Sequence, residues 1–546
     1  MFKKHPSGLP FLFFTEMWER FGYYLMIGIF LLYMTDAQKG GLSLDRAVGS
    51  DIFGTFIALV YLTPFIGGLL ADKLLGYRRS IVLGGVLMGV GYLMLAIPNN
   101  MFSFYSALGV MILGNGFFKP NISVLLGNLY NDDRYKHLKD TGYSIFYMGI
   151  NIGAFICNFF AAWLRHNIGW GAAFAAAGVG MFIGVIVFLV GMKHYTHADV
   201  RKAPVPGEAG VGQMLSSVLL PAIVAGVAGW MLPGNIFGSD STDAFLFGSI
   251  PVIAFYLWIL WKAVPEDKPR IRVLLSIYAV VIIFWAIFKQ NGTALTTWAE
   301  FYTDREMPGW MAGPAEKLQM AQVVSMRDTL YPKYDSQFRT SRDAEGKLIK
   351  INTFNPYFQN VPEADRPPAD GKLSLISTEL YQSVNPFFVV VLTPLLIAFF
   401  AWLRRRGKEP TTPAKIGWGL VISALSTLVT VWAVYSCHNG AVKASASWLI
   451  AAYGVITVGE LCLSPMGLSM VSKMAPRHIT GLMMGGWQLA TSIGNKLSGV
   501  LASMWDKYDD KAEFFWVNFA LLSAAALILF AMLRWLNRVF REQGLS

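Results

Sequence analysis

The feature that most constrains this chain is the length of its uncharged stretches. From Ser80 to Phe118 no residue carries a charge, and only the polar "IPNN" at 97–100 interrupts. Each half of that stretch approaches the ~20 apolar residues an α-helix needs to cross a bilayer. Similar blocks recur along the 546 residues, at 11–35, 51–72, 80–97, 101–129, 141–165, 170–192, 212–232, 244–264, 273–299, 377–403, 413–437, 445–472, 478–505 and 512–538. Composition agrees: 54% of residues are apolar and 14% charged, where a chain covering itself for water needs roughly a quarter charged. The expected class is an all-α polytopic membrane protein with fourteen spans.

Basic residues orient the spans, because cytoplasmic loops collect Lys and Arg. With the N-terminus inside, the inner loops and termini hold 25 Lys and Arg and the short outer loops 6. Both termini are therefore expected in the cytoplasm, with the chain in the cell (inner) membrane. The same bias accounts for the net charge of +11, so no nucleic-acid partner is expected. The start (Met1, Phe2, Lys3, Lys4) resembles that of a signal peptide. Glu16, Glu19 and Arg20 inside the following apolar run, with no small-residue cleavage site, make that run a retained first span. Cys157, Cys437 and Cys462 are widely spaced in or beside apolar segments, so buried thiols are expected, with no disulfide framework, metal site or cofactor.

Two segments break the regularity. Spans 212–232 and 244–264 form a hairpin in mid-chain; without them 6 + 6 spans remain, the layout of the major facilitator architecture, whose sites lie near the bilayer midplane. The expected division is an N-terminal six-helix bundle at 1–192, a linker with the hairpin at 193–272 and a C-terminal bundle at 273–546. Within the last, 304–375 is polar and outside by topology. It is too long for a plain connector, and reads either as a small extramembrane element or as a partly disordered loop.

Charges inside the spans point to function. In "EMWERFGYY" the residues Glu16, Glu19, Arg20, Tyr23 and Tyr24 follow helical spacing and share one face. Phe21, Leu25 and Met26 are left to face lipid or neighbouring helices. A charge at the bilayer centre costs roughly 2.5–3.5 kcal/mol even on the gentler scale, so such groups face a cavity or a partner. A structural alternative is an i, i+4 pair between Glu16 and Arg20 that locks the helix. Two acids beside one base leave a carboxylate over, and this favours a titrating role. Lys119 ("GNGFFKPNIS"), Lys289 ("FWAIFKQNGTAL") and Glu460 ("YGVITVGELCLSPMGLSM") are further isolated charges. For Lys119 and Glu460 the alternative is a packing role. Cations in one place and carboxylates in another would suit a zwitterion with separated ends. Lys496 reads as closer to a membrane edge, with its stem snorkelling to water.

These residues also carry a resemblance. "EMWERFGYY" is similar to the ExxERFxYY signature of the proton-dependent oligopeptide transporter (POT) family, within the major facilitator superfamily. "GGLLADKLLGYRRS" (67–80), "FYMGINIGA" (146–154), "GNGFFKPN", "FWAIFKQ", "YQSVNP" (381–386) and "PMGLSMVSKMAP" (465–476) follow in the family's order. The mid-chain hairpin resembles the extra helix pair of prokaryotic members. The resemblance implies a symporter of protons with di- and tripeptides; a monomer is expected. It implies proton coupling at Glu16, Glu19 and Arg20 with Lys119, which would also help hold the substrate carboxylate. Tyr23, Tyr24 and Tyr61 would line the pocket, Asn151 and Asn385 would bind the peptide backbone, Trp285 and Trp487 would wall side-chain pockets, and Glu460 would take the amino terminus.

Three positions depart from the family. Many members carry a second arginine where this chain has Ile27, and an acid where it has Lys289. The two groups form a salt bridge there, and losing both together strands no charge. Lys289 is expected to supply the cation that Ile27 does not. The histidine of animal members aligns with Gly54, so coupling would rest on carboxylates. Other readings weighed against peptide symport are transport of an amino-acid derivative or peptide-like antibiotic, export, and a non-transporting peptide sensor. A membrane enzyme is disfavoured, because no HExxH, Walker A or nucleophile-elbow motif occurs and the seven histidines do not group.

Overall fold

The computed structural model describes residues 4–97, 100–135, 138–199, 212, 215–318, 321–368, 371–476 and 479–543. The expected linker is therefore described only outside 200–211, 213 and 214, and the loop "DDRYKHLK" only outside 136 and 137. Helix dominates, because in lipid each backbone N–H and C=O must be satisfied within its own segment. The helices are α1 (Leu9–Thr35), α2 (Arg46–Leu70, continued by a π turn at Ala71–Leu75), α3 (Tyr77–Leu95), α4 (Met101–Leu129), α5 (Lys139–Asn167) and α6 (Trp170–Gly191). The hairpin follows as α7 (Leu220–Trp230) and α8 (Asp240–Lys262). Then come α9 (Lys268–Phe288), α10 (Ala294–Phe301), α11 (Gly309–Lys317), α12 (Val384–Arg405), α13 (Thr412–Ser436), α14 (Ala446–Met474), α15 (Thr480–Ser503) and α16 (Lys511–Glu542).

Each predicted span overlaps helix among the described residues. By length and composition, eleven helical segments among the described residues can cross a membrane. The charged α1, the short α7 and α15 stand outside that set. Many large apolar side chains lie exposed, Trp261, Ile397 and Leu527 each by more than 60%, a surface that water would not tolerate and lipid does. The chain is an integral membrane protein.

Packing divides the chain into two units. Unit 1 comprises 1–30 and 55–252, and unit 2 comprises 31–54 and 253–546. Compared with breaks at 192 and 272, the hairpin up to Val252 groups with the first unit. The end of α1, the α1–α2 connection and the first turns of α2 group with the second. Within unit 1, close crossings rest on glycine. A Cβ at Gly67 would come 1.9 Å from the carbonyl oxygen of Gly116, the acceptor that Pro120 leaves without its helical donor. A Cβ at Gly153, in "FYMGINIGA", would come 2.3 Å from the carbonyl oxygen of Met17, so this signature presses α5 onto the charged part of α1. In "GYRRS", Gly76 takes φ +80° and turns the chain into α3. Asp199 accepts from the Tyr77 backbone N–H (2.8 Å) and from Arg78 Nε (2.8 Å), holding that turn.

Two sequence expectations resolve in unit 2. The span expected at 273–299 is broken: a 3₁₀ turn at Lys289–Gly292 and a non-helical Thr293 (φ −131°, ψ −92°) separate α9 from α10. Gln290 and Asn518 exchange amide hydrogen bonds beside the break (2.9 and 3.2 Å), and Gln382 donates to Thr296 Oγ1 (2.8 Å). The apolar runs on either side of "KQNGT" hid the break, because together they match the length of one span. The 304–375 segment is a small folded lobe. β2 (Gln322–Ser325) pairs with β5 (Lys372–Leu375) and β3 (Thr329–Pro332) with β4 (Lys350–Thr353), both antiparallel. β1 (Thr303–Asp304) pairs in parallel with β6 (Ala444–Ser445). Val324, Tyr357, Phe358 and Leu375 form its apolar centre.

Candidate functional site

On α1 the predicted polar stripe lies inside unit 1. Glu16 and Arg20 are each 4% exposed and Glu19 is fully buried. Arg20 grips Glu19 with two donors, Nε and Nη2, the latter 2.6 Å from Oε1. Its Nε also lies 3.3 Å from Glu16 Oε1. The i, i+4 pair of the structural alternative is therefore present, but Glu19 takes the larger share of the guanidinium. Glu16 Oε2 is buried with no hydrogen-bond partner among the described residues. One cation is divided between two acids, and one acid oxygen is left over.

The surroundings of this group are aromatic and cationic. The Arg20 guanidinium lies 5.1 Å from the centre of the Tyr23 ring, and Tyr23 meets Tyr24 edge to face at 5.3 Å. Lys119 Nζ sits 3.8 Å from the centre of the Tyr61 ring, a cation–π contact, within electrostatic range of both carboxylates. Asn115 Nδ2 donates to the Val60 carbonyl (2.7 Å), tying α4 to α2 near this contact. Asn151 is buried and turns its amide onto its own helix, donating to the Tyr147 carbonyl (2.9 Å). Phe21, Leu25 and Met26 are all buried: of the two surroundings expected for them, the structure provides neighbouring helices, not lipid.

Unit 2 gathers a second polar group. Asn385 Nδ2 donates to Glu460 Oε2 (3.1 Å) and to Thr457 Oγ1 (2.9 Å). Lys289 follows the last turn of α9, with its Nζ 5.6 Å from the ring centres of Trp285 and Phe288, in the field of Glu460. Trp285 is buried, and its Nε1–H has no hydrogen-bond partner among the described residues. A buried donor of this kind calls for a water, an ion or a ligand. Trp487 is 3% exposed, edge to face with Tyr278 at 6.1 Å. It covers Gly467, where a Cβ would come 1.9 Å from its ring, which gives "PMGLSM" its glycine. Sequence reasoning missed Thr457. Its position three residues before Glu460, on the same helix face, was the available signal.

Lys496 corrects the sequence reading. It does not snorkel: the side chain is fully buried, with Nζ 2.6 Å from Asp51 Oδ1. Hydropathy placed it near an edge, but its carboxylate partner lies 445 residues away in sequence. Gly54 has a steric reason as well. A Cβ there would come 2.7 Å from the Gly499 Cα and 3.2 Å from the Lys496 carbonyl oxygen, so an imidazole has no room in this arrangement.

Buried ionisable groups lie inside a bundle of long apolar helices, the setting of an intramembrane polar site. The chain belongs to the POT family, whose model matches residues 78–326 and 370–517. Those ranges include Lys119, Asn151, Trp285, Lys289, Asn385, Glu460 and Trp487; the stretch 16–24 and Tyr61 precede them. A di-/tripeptide transporter of Lactococcus lactis subsp. cremoris is 30% identical over 505 residues, covering 90% of this chain and 88% of the relative. Dipeptide and tripeptide permease A of Proteus mirabilis is 29% identical, covering 92% and 87%. A solved structure of the peptide transporter POT in complex with sulfate has a TM-score of 0.76 at 27% identity, covering 99% of this chain and 96% of that one.

Proposed function

We propose that the chain is a proton-coupled symporter that imports di- and tripeptides by alternating access. In this reading it sits in the inner membrane as a monomer with cytoplasmic termini, and the 304–375 lobe is outside. Two six-helix bundles, 1–192 and 273–546, rock about a central site, with 193–272 linking them. One observation carries the reading: Arg20 is shared by two buried carboxylates in the field of Lys119. Protonating Glu16 or Glu19 removes one claim on Arg20, which, with Lys119, then meets the substrate carboxylate. Glu460 receives the amino terminus, Asn151 and Asn385 the peptide backbone, and Tyr23, Tyr24, Tyr61, Trp285 and Trp487 the side chains. Loss of the proton inside restores the internal pair and releases the peptide. Proton and peptide thus favour each other's binding reciprocally.

The driving force is adequate, at roughly 2.3 kcal/mol per charge per 100 mV plus about 1.4 kcal/mol per pH unit. The relatives named for di- and tripeptides support the substrate class. A site holding two termini reads what short peptides share, and longer peptides put those termini out of reach. The test is uptake of di-, tri- and tetra-alanine into proteoliposomes with an imposed pH gradient. Di- and trialanine should accumulate, tetra-alanine should not, and collapse of the gradient should abolish accumulation. Accumulation unchanged by that collapse would end the coupling claim.

A second reading, a peptide-like or amino-acid-derived solute, is favoured at one place. Lys289 lies in the field of Glu460, so an arriving amine meets a neighbouring positive charge. Competition by dipeptides against a labelled solute separates the two.

A further inference from the structure

The first turns of α2 and the end of α15 share a set of contacts for which the transport cycle above has no role. Arg46 Nη1 lies 2.7 Å from Asp506 Oδ1. One turn further along α2, Asp51 pairs with the buried Lys496. Next to that pair, Gly499 packs between Ser50 and Gly54: a Cβ on Gly499 would come 2.7 Å from the Ser50 carbonyl oxygen and 2.8 Å from the Gly54 Cα. Above it, the lobe grips the α1–α2 connection. Arg342 Nε meets Asp45 (2.7 Å) and its Nη2 the Ser43 carbonyl (3.0 Å). Lys350 donates to the Ala37 carbonyl (2.9 Å), and Gln38 to that of Leu330 (2.9 Å). Arg46 Nη2 donates to the Phe338 carbonyl (2.9 Å) and Arg339 pairs with Asp509.

These contacts are graded by access to water. Asp509 is 83% exposed and Asp45 48%, Asp506 28% and Asp51 17%, while Lys496 is fully buried. Exposed pairs contribute little and exchange freely with water. A buried pair behaves differently: separating it in a dry environment strands two charges, and separating it once water has entered does not. Below the latch α2 continues into unit 1 at Thr55, and α1 leaves that unit at Phe30. Both helices thus run on from these contacts into the other unit.

From this arrangement, and resting on the alternating-access reading, we infer that the Asp51–Lys496 pair is a latch. It holds the first turns of α2 against α15 while the lobe face is closed, and it parts when that face opens to admit solute. Asp51 and Lys496 are positioning residues that never touch substrate. The exposed pairs of the lobe part first and let water reach them. The glycine contact sets how closely the two helices seat when the latch re-forms.

The test uses the full chain in proteoliposomes with Ser50→Cys as a reporter. Ser50 is 1% exposed and the native cysteines are buried, so an impermeant maleimide should label the reporter slowly. Lys496→Gln should raise the labelling rate about tenfold, the signature of a shifted conformational population, and lower gradient-driven dialanine uptake by a similar factor. Asp51→Asn, the milder change, should do the same less strongly. The charge swap Asp51→Lys/Lys496→Asp should bring both readouts back towards the parent, as coupled partners do. Unchanged labelling in both single variants would overturn the latch, whether uptake stays normal (an idle pair) or falls with the melting temperature (a support of the fold). So would a charge swap that restores neither readout. If the parent protein takes up no peptide at all, the transport reading fails while the labelling arm still reads the latch.

Discussion

Two polar groups in this protein, one buried and one half-buried, use the same few side-chain types in opposite ways. On α1 in unit 1, charges crowd: two carboxylates divide one guanidinium, and Glu16 keeps an oxygen without a hydrogen-bond partner among the described residues. In unit 2 they are diluted: Glu460 is held by an amide and Lys289 stands against two aromatic rings. Crowding stores a choice, since any proton gained by one acid hands Arg20 to the other. Dilution stores a fixed orientation, which suits recognising one end of a dipolar solute. A third group, at the α12–α13 connection, inverts the first: Glu409 is shared by Arg404 and Lys415 (2.6 Å), with Arg404 72% exposed. It shows what the same sharing does when water reaches one of the two cations.

The contrast fails first, or is sharpened most, at Arg20. Arg20→Met leaves two acids in a dry site and should destabilise the protein by about 3–5 kcal/mol and abolish gradient-driven uptake. Adding Glu16→Gln and Glu19→Gln should recover much of the stability and none of the uptake. Thermal unfolding in detergent beside proteoliposome uptake reads both. Equal stability of Arg20→Met and the parent would mean the α1 charges are not mutually dependent.

A smaller effect is expected in unit 2. Glu460→Gln keeps the hydrogen bond from Asn385 and should cost under about 1 kcal/mol of stability, while lowering dialanine uptake about tenfold, through affinity, as loss of one charged contact does. Lys289→Ala should impair coupled uptake with little change in unfolding. Normal transport by Lys289→Ala makes that lysine a bystander and removes it from the comparison.

The smallest effect belongs to this inverse group, one of whose cations is in water. Hydrogen bonds from Arg404 and Lys415 hold the Glu409 carboxyl well below its ordinary range, at about 2. A depressed carboxyl adds stability above its unfolded value and loses it as pH falls towards about 2. Glu409→Gln should therefore lower the melting temperature near neutral pH by only about 2 °C, and the two proteins should converge on acidification. A constant offset at every pH would show that the pairing is not responsible.

Much of this was legible in the chain itself. The charges in "EMWERFGYY" could not belong to a lipid-facing helix, and helical spacing put them on one face before any coordinates. Their partners were less legible. Spacing favoured Glu16 for Arg20, yet the neighbouring Glu19 takes both of its stronger contacts, because rotamers and packing decide between adjacent acids. The break after Lys289 was missed: "KQNGT" carries a glycine and polar residues, but the apolar runs flanking it read together as one span.

The amino-acid order alone determined the membrane class, the helical segments and which charges must be hidden, because the cost of exposing backbone or charge to lipid is local and adds residue by residue. Only the tertiary structure decided that Lys496 pairs with Asp51, that Gly54 is closed to a larger side chain, and that 304–375 folds as a lobe gripping the α1–α2 connection. Those outcomes depend on surfaces distant in sequence meeting at a few ångströms, and no local pattern records such a meeting.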